Sequence, residues 1–203
     1  YSLKQQSLSM AKDLSAATKT VTDAVTIYAN ENESVSSMLN KAQPTVLLSA
    51  ASGMSSSSSA DAIQGILNQF NLSEDQAMHV ADTVEKLSSE IALDFSKGCD
   101  TISQSIATSG SVVNEAGMSF EKYAALVSTT AEKTRVSGSQ IGNAFKTIFS
   151  RISRSKDGLT TDAEMSDAEA ALKSVGVSVR RADGDLRDIS DTLDDLNKVC
   201  IMQ

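Results

Sequence analysis

GMSFEKYAALVSTTAEKTRVSGSQIGNAFKTIFSRISR, residues Gly117 to Arg154, decides the fold class. It holds two helices back to back, each with its own start signal. Ser119 is placed as an N-cap, Glu121 puts a carboxylate in the first turn, and Met118 can staple onto Tyr123 across the cap. A helix is therefore expected from Phe120, with Phe120, Tyr123, Ala124, Val127 and Ala131 recurring at helical spacing as one buried stripe. After a break at Val136 to Gly138, Ser137 heads a capping box with Gln140, and Val136 is placed to staple Ile141. Ile141, Ala144, Phe145, Ile148, Phe149 and Ile152 then form the widest apolar face of the chain. At about 1.5 to 3 kcal/mol per large side chain buried, that helix is expected to anchor the core.

The totals point the same way. The chain has 203 residues, enough for one domain or two small ones, with 5 Phe, 3 Tyr and no Trp. Such a core is thin and assembled mainly by helix packing. One Pro and 10 Gly, with abundant Ala, Ser, Leu, Glu, Asp and Lys, favour helix over sheet. The expected fold is mainly α, amphipathic helices in a bundle or coiled-coil-like arrangement, with one small β-hairpin near the C-terminus.

Outward from the opening stretch, four sections are expected. Residues 1–43 read as an N-terminal helical arm with a weak heptad seam through Leu3, Ser7, Met10, Leu14, Ala17, Val21, Ala24 and Tyr28. Ser and Ala at seam positions leave two readings, a coiled coil or packing on the rest of the chain. The arm is expected to end before Pro44, because the residue ahead of a proline is pushed out of helical geometry. Residues 44–60 read as a Ser-rich linker or hinge, with a short extended piece over Thr45 to Ala51 and the run Ser55 to Ser59 as either flexible loop or helix start.

Residues 61–155 read as the helical core. A helix started by Ser59 and Asp61 carries Ile63, Ile66, Leu67 and Phe70 and stops at Asn71. Ser73 and Gln76 form a second capping box, worth on the order of 1 kcal/mol at the cap, before a seam through Ala77, Val80, Val84, Leu87 and Ile91 that reaches Phe95 and ends at Gly98. A shorter helix through Ile102, Ile106 and Ala107 runs to Gly110, and Gly117 caps the segment before the opening helix pair.

Residues 156–203 read as helix, hairpin and terminal helix. A loop from Asp157 to Met165 leads to a third capping box, Ser166 with Glu169, over a helix through Leu172 and Val175 that stops at Gly176. Val177 to Arg180, the pair Asp183-Gly184 and then Leu186 predict the hairpin, with a type I′ turn. Ser190 and Asp191 cap a last helix with Leu193 and Leu196 inward.

No residue is assigned a catalytic, cofactor-binding or metal-binding role. His79, the one histidine, shares a helix face with Asp75 and Asp82, and a solvent-facing His–Asp pair is favoured because zinc wants three or four ligands. Cys99 and Cys200 lack any CxxC or CxxH spacing and read as free thiols. Asp183, Asp185 and Asp188 lack the calcium-loop spacing and its closing Glu, so turn chemistry is favoured. Lys146, Arg151, Arg154 and Lys156 gather near a helix C-terminus, where cations complement the dipole, in preference to a phosphate-binding patch. No GxSxG, HExxH or P-loop occurs. A net charge of -8 argues against a general nucleic-acid surface. No apolar run approaches the ~20 residues of a membrane span. A start at Tyr1 without methionine reads as a section of a longer polypeptide.

FEKYAALVSTTAEKTRVSGSQIGNAFKTIFSRI, with the earlier NQFNLSEDQAMHVADTV and the later AALKSVGVSVRRADGDLRDISDTLDDL, resembles the core region of phage tail tape-measure proteins. The resemblance spans about Tyr28 to Leu196 as several blocks in one order. It implies a structural virion protein, no enzyme and no cofactor, that sets tail length during assembly and is expelled ahead of the DNA at ejection. It implies residence in the tail lumen after assembly in the host bacterial cytoplasm. The implied partners are the tail tube protein, tail-tip or baseplate proteins, tail assembly chaperones and further copies of the chain inside the tube. The competing reading is a bacterial helical adaptor or coiled-coil interaction protein. Beyond Lys198 the text VCIMQ departs from the family pattern.

Overall fold

A computed structural model of the chain describes residues 3–14, 18–30, 34–153, 167–185, 187–188, 191–195 and 198. Nine helices are described: α1 (Leu3–Asp13), α2 (Thr18–Ala29), α3 (Val35–Ser52), α4 (Ser56–Phe70), α5 (Ala77–Glu90), α6 (Phe95–Glu115), α7 (Phe120–Thr134), α8 (Gly138–Ser153) and α9 (Asp167–Ser174). Residues 191–195 are also helical. Outside the described residues lie Ala17 of the N-terminal seam, Arg154, Lys156, the loop expected over Asp157 to Met165, Ser166, Leu186, Ser190, Leu196 and Cys200, as do the side chains of Arg151 and Ile152.

The helix pair of the opening stretch forms as its signals predict. Ser119 accepts from the Lys122 N–H, and the five expected stripe residues of α7 are all buried. At α8 the capping box closes in both directions, with Ser137 N donating to Gln140 Oε1 at 3.2 Å and Gln140 N to Ser137 Oγ at 3.4 Å. Val136, expected to staple that cap, is exposed. The expected core anchor is only half buried: Ile141 and Phe149 are inside and Phe145 partly so, whereas Ala144 and Ile148 face outward.

The central element is instead α6, which touches α3, α4, α5, α7 and α8. It runs unbroken over 21 residues, so Gly98 does not end a helix and Gly110 does not end another. Its buried face alternates Cys99, Ile102, Ile106 and Val113 with Thr101, Ser103, Ser105, Ser109 and Gly110. Small side chains let neighbours approach closely, and several hydroxyls return to a carbonyl of their own helix: Thr108 Oγ1 donates to Gln104 O and Ser109 Oγ to Ser105 O, both at 2.8 Å.

The closest approach is to α8. A Cβ built on Gly138 would sit on the Thr101 carbonyl oxygen and 2.9 Å from Gln104 Cβ, and one on Gly142 would lie 2.7 Å from Thr108 Cβ. Ser105 Oγ donates to the Gly138 carbonyl at 2.8 Å across this contact. Gly138 and Gly142, four apart on one face of α8, thus seat the helix on the small-residue ridge of α6.

Several expectations are corrected. Pro44 lies inside α3, and Thr45 to Ala51 are helical with it. The missing N–H forfeits one hydrogen bond to Asn40, but α3 buries Met38, Ala42, Val46 and Leu48 on its two sides, and that packing outweighs the local preference. The serine run starts α4: Ser55 is the N-cap, its Oγ accepting from Ser58 N at 3.0 Å, so the helix begins earlier than the expected Ser59. Ser73 makes no side-chain cap bond. Its carbonyl instead accepts from Gln76 N at 2.9 Å in a 3-10 turn over Glu74–Gln76 ahead of α5. The seam of α5 stops at Glu90, and a fresh helix begins after Asp94, whose side chain caps Lys97 N.

The β-hairpin is also overturned: no strand occurs among the described residues. Of the expected turn pair only Gly184 has positive φ, at 92°, whereas a type I′ turn needs both. The chain reverses over Arg181 to Gly184, with Gly184 N donating to Arg181 O at 3.1 Å, and Arg180 makes a single isolated bridge. Among the described residues, backbone pairing across the turn is limited to Arg187 N donating to Val179 O at 2.9 Å and Arg181 N to Asp185 O at 2.8 Å, while Ser178 Oγ bonds the Arg180 backbone and the Arg180 guanidinium donates to the Gly184 carbonyl.

Two apolar clusters result. The larger gathers α3 through α8, with Phe70, Phe120, Tyr123, Phe145 and Phe149 in edge-on contacts at centroid distances from 5.6 to 6.3 Å and Phe70 tilted against Tyr123 at 6.4 Å. The smaller joins Val21, Ala24 and Tyr28 of the N-terminal seam, together with Val25, to Met38, Ala42, Val46 and Ala60. The seam therefore packs within the chain, on α3 and α4. Here the fully buried Lys41 ammonium lies 4.6 Å over the Tyr28 ring and donates to Gln64 Oε1 at 2.7 Å.

Replacing Gly142 by Ala is expected to lower stability by about 1–3 kcal/mol through overpacking, despite a helix-propensity gain of up to ~1 kcal/mol. Gly65→Ala, where nothing lies within 4 Å of the added atom, is expected to gain that propensity instead. Urea midpoints at constant slope compare the two; a Gly142→Ala midpoint as high as that of Gly65→Ala would refute the close α6–α8 contact.

Candidate functional site

The stretch with the strongest helix signals, α7 and α8, clamps α6, and the titratable groups considered from sequence lie around that clamp. Tyr123, on the buried stripe of α7, reaches α6 with its hydroxyl 2.5 Å from Ser109 Oγ. Burial pushes its pKa up to about 12, against a smaller opposing effect of the Ser109 hydrogen bond. A phenol so held is a neutral structural donor at ordinary pH. Nothing in its spacing singled it out, since the partner serine lies one helix back in the chain.

His79 is on α5 as expected, but its partner is neither Asp75 nor Asp82. Its Nε2–H donates to Glu121 Oε1 of α7 at 2.8 Å, both side chains about half exposed, and its ring meets Phe120 edge-on at 6.4 Å. The hydrogen bond from His79 holds the Glu121 carboxyl below its usual range, aided by the Glu121 backbone and Ser119 and opposed by partial burial. The N-terminal carboxylate of α7 therefore serves twice, at the helix dipole and as a tie to α5.

Cys99 is fully buried in α6, and burial above all pushes its thiol up, so it behaves as a small apolar core residue. Asp188 pairs with Lys122 at 3.2 Å, Asp183 Oδ1 accepts from Asp185 N at 3.1 Å, and Lys146 is exposed on α8. The carboxylates of Asp183 and Asp188 are thus spent on a turn and an ion pair. Among the described residues no group of three or more His, Cys, Asp or Glu side chains is placed to hold a metal ion. Arg180 and Glu169 form a mostly buried ion pair at 3.1 Å that fastens the 181–184 turn to α9. What this arrangement does chemically is to lock helices together.

Two measurements test it. Tyr123→Phe is expected to cost about 0.5–1.5 kcal/mol. Because the folded phenol titrates near 12 rather than at the ordinary 10.0, the folded state holds its proton longer, and wild-type stability falls between those values; the variant should lack that decline in alkaline denaturation curves. Glu121→Gln is expected to cost less than ~1 kcal/mol near neutrality, given its exposure. Its lowered carboxyl stabilises the fold above the ordinary value of 4.5, so the deficit should shrink as pH falls through the folded value, read by thermal melts across that range.

Comparison with known proteins places this clamp in a family. The model of the phage-related minor tail protein family matches residues 4–200, which includes all nine helices but for the first residue of α1. The chain is also similar to the probable tape measure protein of Escherichia phage P2, 24% identical over 187 residues, covering 92% of this chain and 21% of that protein. The chain thus spans about a fifth of the length of that curated relative. No solved structure matches. No helix among the described residues is long and apolar enough to cross a membrane. With nearly its whole length matched, the chain belongs to the phage-related minor tail protein family.

Proposed function

We propose that this chain is a folded section of a tail tape-measure protein, a non-enzymatic virion component that sets tail length during assembly and leaves ahead of the DNA at ejection. The observation that carries the reading is the family match from residue 4 to 200. The similarity to the probable tape measure protein of phage P2 supports the length-setting part. The section works in the tail lumen after assembly in the host bacterial cytoplasm. Its partners are the tail tube protein, tail-tip or baseplate proteins, assembly chaperones and further copies of itself, without direct nucleic-acid binding.

Within such a protein this section acts as a folded end or docking module, and the ruler lies elsewhere in a longer chain. A ruler needs length: an unbroken helix adds about 1.5 Å per residue. Here the longest helix among the described residues has 21 residues and the chain turns back on itself between helices, so its length does not accumulate.

Deleting whole heptads from helical segments of the parent gene outside this section is expected to shorten tails by about 1.5 Å per residue, measured by electron microscopy. Deletions inside α6 should abolish tail assembly without graded shortening. Tails of unchanged length after heptad deletion would reject the ruler role.

A further inference from the structure

Helices α4 and α6 run in the same direction and approach closely at Gly110. A Cβ on Gly110 would lie 2.8 Å from Gln69 Cβ and 3.2 Å from Phe70 Cε2, and Ser111 N donates to Gln69 Oε1 at 2.6 Å. Toward their N-terminal ends the helices part, leaving a crevice of about 220 Å³. Ala62, Gly65 and Ile66 wall it on α4, Ser103 and Ala107 on α6, with Met54 at its edge. Gly65 holds it open, since nothing lies within 4 Å of where its Cβ would be.

The crevice is polarised along its length. Along the helices Ile66 and Ala107 line it toward the Gly110 contact, whereas the exposed carboxylates Asp61 and Asp100 line it toward the helix starts. Asp100 Oδ2 accepts from Gln104 Nε2 at 2.7 Å, and neither aspartate is in an ion pair with a described residue. Midway, Ser103 is 9% exposed and its Oγ has no hydrogen-bond partner. That contrasts with Ser105, Thr108 and Ser109 of the same helix, each of which donates to a carbonyl.

An apolar trough that ends between two unpaired carboxylates, with a spare hydroxyl in its wall, fits an aliphatic stem tipped by a cation. We propose that the α4–α6 crevice is a docking slot for a Lys or Arg side chain presented by a partner polypeptide. The methylenes lie against Ile66, Ala107 and Ala62, and the cationic head lies between Asp61 and Asp100. The dimensions agree: the five residues from Ile66 back to Asp61 rise about 7.5 Å, close to the reach of an extended Lys or Arg side chain. The net charge of -8 favours a partner of opposite charge over a second copy of this chain. The slot stands on its own geometry and is independent of the length-setting role.

The test is amide chemical-shift titration of the whole chain with acetyl-Leu-Arg-Leu-amide and with its neutral counterpart, in which citrulline replaces arginine. The arginine peptide is expected to shift the amides of Ala62, Gly65 and Ala107 saturably. Asp61→Asn and Asp100→Asn should each weaken it by up to about fivefold, and they should erase its preference over the citrulline peptide. Gly65→Leu, which fills the crevice, should abolish binding while leaving the remaining amide pattern unchanged. Equal binding of both peptides, or binding that survives Gly65→Leu, would overturn the proposal. So would a concentration-dependent dimer in sedimentation that Gly65→Leu dissolves, because the slot would then belong to a second copy.

Discussion

The fold depends on how closely α8 can lie on α6. Where Gly138 and Gly142 face Thr101, Ser105 and Thr108 there is no room for a Cβ, and the helices meet almost backbone to backbone. A core with no Trp and few other aromatic side chains has little large apolar surface to bury, so it gains cohesion from many short contacts between small groups. The hydroxyls that this strategy buries would be costly if unpaired. Some are returned to carbonyls of their own helix, as Ser109 is, and Ser105 is used to bond α8 directly, while Ser59, Ser88 and Ser103 are left without a partner among the described residues.

Around that contact the larger side chains have defined places. Tyr123 enters from α7, gives its hydroxyl to Ser109, and stacks edge-on with Phe145 and Phe149 of α8, so the same ring ties three helices. The N-terminal helices belong to a separate cluster that shares α3 and α4 with the main one. There the anchoring is partly polar: Tyr28 OH meets Thr45 Oγ1 at 2.7 Å, and Thr45 Oγ1 in turn donates to the Lys41 carbonyl at 2.8 Å. Pro44 sits beside these groups inside α3, held helical by the packing of its neighbours on both clusters.

Beyond the α6–α8 contact, the helices of this phage tail family member have defined starts. The caps at Ser34, Ser55, Asp94, Ser119 and Ser137 fix the starts of five of the nine described helices. The surface left between α4 and α6 shows the complementary point. Where two helices part and glycine withholds a side chain, a folded bundle acquires a place for a neighbour's side chain.

The sequence alone determined what local chemistry controls. The caps at Ser119 and Ser137, the stop at Asn71, the C-cap at Gly117 and the buried stripe of α7 all depend on residues within one or two turns of each other, so spacing suffices to read them. The phage-tail family was legible for a similar reason, as ordered blocks along the chain. Tertiary structure decided whatever needed a partner distant in sequence. The helical state of Pro44 follows from burial on two sides, and the continuity of α6 through two glycines follows from neighbours that require the absence of a Cβ. His79 chose Glu121 over nearer aspartates because α5 and α7 pack side by side. The expected hairpin is reduced to a single bridge because the turn over Arg181 to Gly184 lacks the second positive φ that a type I′ turn needs. The slot between α4 and α6 had no sequence signal, since its two walls lie a whole helix apart and only packing brings Asp61 and Asp100 to one opening.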